Sequence, residues 1–353
     1  MFDHPEFDGH ERVLFAQDAA SGLNAYIAIH STALGPGFGG CRFYPYASSA
    51  DALTDVLRLS RGMTYKAAIC DLPYGGAKAV IIGDPKTHKS EDLLLAMGRL
   101  VDSLGGAYIT ADDVGTTLAD MAVMRRTTYH TVGASAAAMA PLAVTGYGVY
   151  CAIRAADEEI LGRSDLEGLK VAVQGLGNVG MPLCGYLHKA GSSLVVSDFD
   201  AARVERAKAE FGAKGVGLDE IFDQDVDVFA PCATGAIIND ETIPRLNASI
   251  VCGGANNQLK ASRHDEALAR RGIAFIPDYL ANAGGVIDFY QESIDDSPQA
   301  VLAATGRIYD ITRDVLRRAK AEARTPLSVA DDIARSRLQA ARATAGLATL
   351  EGA

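Results

Sequence analysis

Short apolar strands alternate with helical segments through the second half of this sequence, and that alternation restricts the fold more than any other feature. The strands lie at residues 170–173, 193–198, 226–231, 249–254 and 274–278. Parallel strands need crossover connections, usually helices, so this order is typical of a sheet with helices on both faces. The sequence therefore predicts a Rossmann-like, doubly wound α/β domain over residues 141–324.

A glycine-rich turn follows the first of these strands and opens a helix. Gly175, Gly177 and Gly180 form the pattern Gly-x-Gly-x-x-Gly. In this setting the first glycine permits a tight turn, the second lets the backbone approach a pyrophosphate, and the third lets helix and strand pack closely. Free N–H groups at the helix N-terminus favour phosphate. We therefore predict a dinucleotide site that includes Asn178 and Val179.

The next strand ends at Asp198, a position from which a carboxylate can hold the hydroxyl groups of an adenosine ribose. A carboxylate there repels a 2′-phosphate, so the pattern favours NAD over NADP. Arg203, in the following helix, could oppose this preference, but its position is more typical of a solvated helix residue. The structural alternative for the whole motif is a tight glycine turn that binds no ligand.

The first 140 residues mix strands and helices and are predicted to form a separate α/β domain. Residues 49–63 carry apolar residues at helical spacing with Ser49 as N-cap, and residues 90–106 form a second helix capped by Ser90. Residues 77–84 are predicted as a buried strand. These elements place Lys78 near the start of a buried strand.

Composition limits the partners of the chain. Its 353 residues carry 33 lysines and arginines against 44 aspartates and glutamates, a net charge of -11. That charge opposes nonspecific binding to nucleic acid or to anionic lipid. The chain has no run of about 18 apolar residues, and its acidic N-terminus lacks the apolar core of a signal peptide. We expect a cytoplasmic protein with a small-molecule substrate, no nucleic-acid partner and no membrane partner.

The cysteines are widely spaced and include no Cys-x-x-Cys pair. This spacing matches neither a zinc site nor a small disulfide framework, so we predict free thiols and no bound metal. The six cysteines are Cys41, Cys70, Cys151, Cys184, Cys232 and Cys252.

Three charged side chains stand in unusual surroundings in the first half of the chain. Lys66 lies among apolar residues, and Lys78 follows Gly75 and Gly76 at the start of an apolar strand. Burial and a neighbouring ammonium lower the pKa of a lysine, so Lys78 is a candidate general base. Asp113 follows a short strand and is suited to exchanging protons with Lys78. Taken singly, each residue also fits a structural role, as a snorkelling lysine or a capping aspartate.

Longer motifs surround these residues and extend over about residues 10–340. They are Gly35-Pro36, Gly39-Gly40-x-Arg42, Arg61-Gly62-Met63-Thr64-x-Lys66, Leu72-x-x-Gly75-Gly76-Ala77-Lys78-x-Val80, Asp84-Pro85, Tyr108-Ile109-Thr110-Ala111-Asp112-Asp113-Val114-Gly115-Thr116, Pro231-Cys232-Ala233, Ala255-Asn256-Asn257-Gln258-Leu259 and Asn282-Ala283-Gly284-Gly285-Val286. In content and order they resemble the glutamate/leucine/phenylalanine/valine dehydrogenase family, and its leucine dehydrogenase branch in particular.

The resemblance implies an NAD-dependent oxidative deamination that converts an L-amino acid to the 2-oxo acid, ammonia and NADH. Lys66 is expected to pair with the substrate carboxylate, helped by the backbone around Gly39 and Gly40. Lys78 is expected to act as the general base that activates the water attacking the imine. Asp113 is expected to shuttle protons to and from Lys78 and the amine.

The resemblance also implies positions for the cofactor and an architecture. Thr145 lies near the nicotinamide amide, Asn256 reaches the substrate or the nicotinamide ribose, and Cys232 and Ala233 line the cofactor site. Residues 1–140 form a substrate domain, onto which a C-terminal helix at about 325–353 packs back. The Rossmann-like domain binds NAD across a cleft that closes around the substrate. Members of this branch form homo-oligomers, so we expect a dimer or a larger assembly, up to an octamer.

The choice of amino acid depends on the side chains around the substrate. Glutamate-specific relatives carry a lysine where this chain has Phe38, and an aromatic ring cannot compensate a desolvated carboxylate. Ala111 matches the leucine-type enzymes. Phe38 and Phe289, the latter close to Val286, depart from the leucine pattern. Rings that point inward shrink the pocket toward valine, rings that splay apart can stack on an aromatic substrate, and either ring can instead pack in the core. We favour aliphatic, branched-chain substrates, with aromatic amino acids as the alternative.

Two further alternatives remain open. Residues 133–142 carry an apolar, alanine-rich segment where relatives have a polar one, which would suit a catalytically impaired NAD-binding sensor, although the predicted catalytic residues are all present. A 2-hydroxy acid dehydrogenase needs a histidine with a carboxylate partner. The candidates His188 and His264 lie in helical segments without a matching motif.

Overall fold

The chain divides into two compact units, and each is described here by itself. The first unit comprises Met1–Ala138 with Ala334–Ala353, and the second comprises Met139–Ile333. The computed structural model describes residues 2–132, 141–292, 294 and 297–351. Both units combine helices with a sheet that contains parallel strands, so the predicted α/β class is confirmed.

A five-stranded mixed sheet forms the centre of the first unit. Its strands are β1 (Arg12–Asp18), β2 (Leu23–Ser31), β3 (Gly37–Tyr44), β4 (Gly75–Ile82) and β5 (Tyr108–Asp112). Their order across the sheet is β1-β2-β4-β3-β5. The β1–β2 and β2–β4 pairs are antiparallel, whereas β3 runs parallel to both β4 and β5. The carboxyl ends of β3, β4 and β5 therefore lie at one edge of the sheet.

Helices cover both faces of this sheet. They are α1 (Ser49–Ile69), α2 (Glu91–Asp102) and α3 (Leu118–Met124). One face buries Ile27, Phe43 and Ile81 against Met97 of α2 and Met121 of α3. The other face buries small and branched side chains of β2 and β4 against the apolar side of α1. Two apolar layers thus hold the sheet between helices.

Helix α1 is longer than the sequence predicted. Its N-cap is Ser48 rather than Ser49, because the Ser48 hydroxyl accepts a hydrogen bond of 3.1 Å from the backbone N–H of Asp51. The helix continues past Gly62 to Ile69 because the residues of its last turns are buried against the sheet. Tertiary packing therefore overrides the low helix propensity of glycine. The extension puts Lys66 in the last turns of a helix rather than in a loop.

The second unit contains a six-stranded sheet in which every strand pair is parallel. Its strands are β6 (Lys170–Gln174), β7 (Ser193–Ser197), β8 (Lys214–Gly215), β9 (Val228–Pro231), β10 (Ile250–Val251) and β11 (Ala274–Phe275). They are ordered β11-β10-β9-β6-β7-β8. This is the order of a Rossmann fold, with the switch point between β6 and β9, where such sheets bind ligands at their carboxyl ends.

The remaining helices follow the second half of the chain. They are α4 (Pro141–Ala156), α5 (Gly180–Lys189), α6 (Ala201–Phe211), α7 (Arg263–Arg270), α8 (Asp278–Ala281), α9 (Gly284–Glu292), α10 (Pro298–Glu322) and α11 (Pro326–Glu351). Helix α4 continues directly into a π-helical turn, Asp157–Leu161. Among the described residues, no helix combines the length and apolar character needed to cross a bilayer.

The end of α11 contacts α1 within the first unit. Arg335 Nε donates to the Tyr65 hydroxyl at 3.1 Å. Arg337 Nη1 donates to the carbonyl oxygens of Ala68 and Ile69 at 2.5 and 3.0 Å. These two carbonyls belong to the last turn of α1, where a helix leaves acceptors without intrahelical partners. Arg337 therefore caps the C-terminus of α1.

Candidate active site

One face of the first sheet gathers most of the residues predicted to act on the substrate. In parallel strands, paired residues project on the same side and alternate residues share a face. The register pairs Gly40 with Ala111 and Cys41 with Ala79, which sets Gly40 level with Lys78. The shared face carries Phe38, Gly40, Lys78, Ala111 and, immediately beyond β5, Asp113.

Lys78 and Asp113 form a direct ion pair on this face. Lys78 Nζ donates to Asp113 Oδ2, and Arg42 Nε donates to Asp113 Oδ1 at 3.2 Å. The Lys78 residue is 4% exposed, so the pair is shielded from water. Burial alone would raise the pKa of Asp113, but the charges of Lys78 and Arg42 hold that pKa well below its usual range. Asp113 is therefore an ionised carboxylate between two cations.

Arg42 is itself fixed by a second carboxylate. Its Nη1 atom donates to Asp55 Oδ2 at 2.8 Å, and the Tyr46 hydroxyl donates to the same oxygen at 2.6 Å. No role was predicted for Arg42 from the sequence. The available signal was its place in the Gly39-Gly40-x-Arg42 motif, but the contact with Asp113 joins residues far apart in the chain.

The loop after β5 is fastened to β3, which fixes the position of Asp113. The Thr116 hydroxyl donates to the carbonyl oxygen of Cys41 at 2.7 Å and accepts from the backbone N–H of Asp113 at 2.9 Å. Gly115 has a φ of +82°, and a Cβ there would lie 1.9 Å from the Phe43 carbonyl oxygen. Only glycine permits this close approach of loop and strand.

The glycines of β3 and β4 let helix α1 approach the same face. A Cβ on Gly76 would lie 2.0 Å from the backbone nitrogen of Thr64, two residues before Lys66. A Cβ on Gly39 would lie 1.9 Å from the Ala77 carbonyl oxygen and 3.3 Å from Met63 Cγ. Lys66 is buried in the last turns of this helix. The structure thus brings the Lys66 turn against the glycine end of the sheet.

Phe38 supplies an apolar wall on the shared face. It is buried, and its ring centroid lies 5.4 Å from that of Tyr74. A carboxylate side chain of a substrate would gain no hydrogen bond from the Phe38 ring. The position of Phe38 beside Gly40 and Lys78 favours an apolar substrate side chain.

The glycine turn of the second unit combines close packing with open space. Gly175 has a φ of +93°, and a Cβ there would lie 2.7 Å from the Ala233 Cβ. A Cβ on Gly180 would lie 1.9 Å from the Gly175 carbonyl oxygen and 3.3 Å from the Cys232 Cβ. By contrast, a Cβ on Gly177 would meet only Arg203 Nη1, at 3.9 Å. The space beside Gly177 is therefore available to a ligand, which fits a dinucleotide pyrophosphate.

Asp198 fastens this turn to the end of β7. Its Oδ2 atom accepts from the backbone N–H of Leu176 at 2.6 Å, and its Oδ1 atom accepts from that of Asp200 at 2.8 Å. Each carboxylate oxygen keeps a further lone pair for a ribose hydroxyl. Arg203 lies on helix α6 with a side chain that is 43% exposed, as the sequence indicated, and its Nη1 atom is 3.9 Å from Asp198 Oδ2.

A second polar cluster of this unit contains Asn256. Asn282 Nδ2 donates to Asn256 Oδ1 at 2.8 Å and to the Gly254 carbonyl oxygen at 3.2 Å. Asn282 is buried, and its Oδ1 atom has no hydrogen-bond partner within the part of the chain that the structure describes. Asn282 belongs to the Asn282-Ala283-Gly284-Gly285-Val286 motif, but its sequence position alone indicates no role. A buried amide oxygen of this kind is suited to accept a hydrogen bond from a ligand.

Helix α9 carries two further predicted residues, Val286 and Phe289, and begins close to a third, Thr145 of α4. A Cβ on Gly284, its first residue, would lie 2.9 Å from Thr145 Cα, so α9 begins against α4. Val286 is buried and Phe289 is half-buried on this helix. The predicted departure at 133–142 falls outside the described residues, apart from the first two backbone positions of α4.

Together these features define a class of enzyme. A Rossmann-ordered sheet with an accessible glycine turn, in a chain that also has a separate α/β unit with a buried lysine–aspartate pair, is typical of a nicotinamide-dependent dehydrogenase. The family model described as "Glu/Leu/Phe/Val dehydrogenase, dimerisation domain" matches residues 10–130. A second, "Glutamate/Leucine/Phenylalanine/Valine dehydrogenase", matches residues 140–206 and 199–326. The chain belongs to the glutamate/leucine/phenylalanine/valine dehydrogenase family.

Characterised relatives match the chain over nearly its whole length. It is 46% identical to leucine dehydrogenase of Thermoactinomyces intermedius, over 98% of this chain and 95% of that protein. It is 45% identical to valine dehydrogenase of Streptomyces virginiae, over 96% of both chains. The crystal structure of L-tryptophan dehydrogenase from Nostoc punctiforme matches with a TM-score of 0.80 and 44% identity, over 95% of this chain and 97% of that one. The predicted family, two-domain fold class and amino acid dehydrogenase activity are confirmed.

Proposed function

We propose that this chain catalyses the reversible, NAD-dependent oxidative deamination of branched-chain L-amino acids such as leucine and valine. The proposal rests on one observation above all, the buried Lys78–Asp113 pair on the face that also carries Phe38. The pair provides for proton transfer, and the aromatic wall favours an apolar side chain. The names of the leucine and valine dehydrogenase relatives support the same substrate class.

The first unit binds and orients the amino acid in this proposal. The Lys66 ammonium pairs with the substrate carboxylate, and the backbone of Gly39 and Gly40 approaches it without side chains in the way. Phe38 and Ala111 contact the apolar side chain. Fixing the carboxylate at one end and the side chain at the other holds Cα in one orientation, which lowers the entropic cost of the reaction.

Lys78 and Asp113 move the protons. Lys78 takes a proton from the water that attacks the imine, and it passes protons to Asp113 through their direct hydrogen bond. Arg42 keeps Asp113 ionised and therefore able to accept. Oxidation of the amine to the imine requires a hydride acceptor, which NAD supplies when bound. The products are the 2-oxo acid, ammonia and NADH.

The second unit holds NAD in this proposal. The helix N-terminus after Gly175, Gly177 and Gly180 binds the pyrophosphate, together with the backbone of Asn178 and Val179. Asp198 accepts from the adenosine ribose and disfavours a 2′-phosphate. The nicotinamide end is held by a remaining set of residues. These are Thr145, Cys232, Ala233 and Asn256.

We also propose a homo-oligomer in the cytoplasm. The family model that matches residues 10–130 is described as a dimerisation domain, which supports self-association through the first unit. The described cysteines are free thiols, as is usual in a reducing compartment.

An aromatic amino acid is the second candidate substrate. The Phe38 and Tyr74 rings, with centroids 5.4 Å apart, could extend an aromatic stack to a substrate ring. The similarity to a tryptophan dehydrogenase supports this candidate.

Reduced nicotinamide absorbance at 340 nm tests the substrate class directly. The full chain and NAD are mixed with leucine, valine, phenylalanine, tryptophan and glutamate in turn. We expect turnover of leucine and valine, and loss of at least about a hundredfold in Lys78→Ala, because a positioned general base contributes that much. Lys89→Ala is the matched control, since Lys89 also pairs with an aspartate of the first unit, Asp120.

The possible outcomes separate the candidates. Turnover confined to phenylalanine and tryptophan favours the aromatic alternative. NAD binding without turnover of any amino acid contradicts the proposed function. Equal activity of Lys78→Ala and Lys89→Ala would remove Lys78 from the proposed mechanism.

A further inference from the structure

Arg203, in the first turn of α6, lies beside the glycine turn that follows β6. Its Nη1 atom is 3.9 Å from the position that a Cβ on Gly177 would occupy, and no other described residue apart from the two chain neighbours of Gly177 comes within 4 Å of that position. The second glycine of such a turn is where the backbone approaches a pyrophosphate. The Arg203 guanidinium therefore borders the space that a dinucleotide phosphate would fill.

The carboxylates near Arg203 hold it loosely. Its Nε atom is 3.4 Å from Asp200 Oδ2, and its Nη1 atom is 3.9 Å from Asp198 Oδ2. Both distances exceed the value of about 2.8 Å for a charge-assisted hydrogen bond. Both oxygens of Asp198 already accept backbone N–H groups. The Arg203 side chain is 43% exposed, so its donors remain accessible to a ligand.

A neighbouring arginine on the same helix shows the contrast. Arg206 donates to Glu210 through two nitrogens, at 2.7 and 3.4 Å, in an i,i+4 pair. Arg203 has no such tight partner among the described residues. Its Cζ atom lies 5.8 Å from the ring centroid of Phe199, which is strongly exposed. This cation–π contact favours a guanidinium that stays at the turn.

We propose that Arg203 binds a phosphate group of the dinucleotide and is a cofactor-binding residue beyond those of the glycine motif. This rests on the proposed function, since it requires a dinucleotide at the turn. The planar guanidinium matches the geometry of phosphate oxygens. Its contacts with Asp198 and Asp200 are long, at 3.9 and 3.4 Å, and can give way to a doubly charged group. Two phosphates are within this chemistry: the pyrophosphate, common to NAD and NADP, and the 2′-phosphate, found in NADP alone.

Equilibrium binding of NADH and NADPH to the full chain, followed by the fluorescence of the reduced nicotinamide, tests the proposal without turnover. Arg203→Ala is compared with the unaltered chain and with Arg206→Ala, which removes the same charge from the same helix. We expect Arg203→Ala to weaken binding about tenfold, the loss of one charge-assisted contact. Arg206→Ala should stay within about twofold, because its ion pair is exposed. Added salt should weaken binding by the unaltered chain more steeply than binding by Arg203→Ala.

The loss of affinity for NADH, compared with the loss of affinity for NADPH, identifies which phosphate Arg203 binds. An equal loss for NADH and NADPH assigns Arg203 to the pyrophosphate, and a loss confined to NADPH assigns it to the 2′-phosphate; either result supports the proposal. The proposal is overturned if Arg203→Ala binds both ligands as tightly as the unaltered chain does. It is also overturned if Arg206→Ala loses as much affinity as Arg203→Ala. In either case the dinucleotide site itself stands. An unaltered chain that binds neither ligand overturns the proposed function as well.

Discussion

The charge balance around Asp113 connects three residues that lie far apart in the chain. Lys78 and Arg42 each contact one carboxylate oxygen, and Asp55 in turn holds Arg42. Because both cations favour the ionised form, Asp113 is deprotonated and can accept a proton from Lys78 in the proposed reaction. The proton path of the proposed reaction therefore depends on an arginine that touches no proposed substrate atom.

Arg42→Gln is expected to raise the pKa of Asp113 while leaving the Lys78 contact in place. Asp113 must be ionised to accept a proton, so a higher pKa moves the acid limb that Asp113 sets to higher pH, and the profile is followed down to the lowest pH at which the enzyme stays folded. We expect a shift of about one pH unit, at the lower end of what one nearby cation contributes. The measurement is kcat/KM for leucine as a function of pH.

Arg42→Lys is the control for this experiment, because it keeps the charge and should keep most of the acid limb in place. A profile that does not move in Arg42→Gln would show that Arg42 only supports the structure. Uniformly lower activity at every pH would point to the same conclusion.

Some site residues could be recognised from the sequence and others could not, for physical reasons. Lys78 and Asp113 are flanked by glycines, an apolar strand and a strand end, so their local surroundings indicate a role. Arg42, Asn282 and Arg203 act through contacts with residues that are distant in sequence or lie across a turn. Local patterns carry no information about such contacts.

Helix α1 and strand β4 determine how the candidate site is assembled. The sequence predicted both elements and the alternation of strands and helices in the second unit, because hydrophobic periodicity is a local property. It ended α1 too early, at Met63, since the burial that extends this helix comes from the sheet. It also could not give the strand order of the first sheet, where β4 lies between β2 and β3.

The glycines of these two elements should respond to alanine in opposite ways. A Cβ on Gly76 would lie 2.0 Å from the Thr64 backbone nitrogen, so Gly76→Ala forces α1 away from the sheet. We expect it to lower the free energy of unfolding by about 1–3 kcal/mol, the usual cost of overpacking. A Cβ on Gly62 meets nothing within 4 Å, so Gly62→Ala should raise that free energy by about 0.5–1 kcal/mol.

Chemical denaturation of the two variants measures both changes. Gly76→Ala should also lose amino acid turnover, because the displaced helix carries Lys66. If both substitutions shifted stability in the same direction, the close approach of α1 to β4 would be contradicted.

The first unit is built from two separate stretches of the chain. Its C-terminal part reaches the last turn of α1 through Arg335 and Arg337. That turn follows directly after Lys66, so a contact made by the end of the chain supports a residue proposed to bind the substrate.

Arg337→Met should weaken this support while keeping an apolar stem at the same place. It removes the donor to two carbonyl oxygens, those of Ala68 and Ile69. We expect a loss of about 1–3 kcal/mol in the free energy of unfolding of the first unit, the cost of buried acceptors without partners. KM for leucine should rise more than kcat falls. Calorimetry and steady-state kinetics measure the two effects.

Arg270→Met is the matched control, since Arg270 forms only an exposed pair with Glu266. Its stability should change by no more than about 0.5 kcal/mol. Equal effects of the two substitutions would argue against a capping role for Arg337.

The discontinuous first unit has a consequence for the order of folding during synthesis. A ribosome adds about 5–20 residues per second, and domains generally fold as they emerge. All six described strands of the second unit are made before residue 334, whereas the first unit still lacks the segment that caps α1. The half of the protein that is translated first is therefore completed last. Until residue 337 is made, the carbonyl oxygens of the last turn of α1 lack the arginine that binds them in the finished protein.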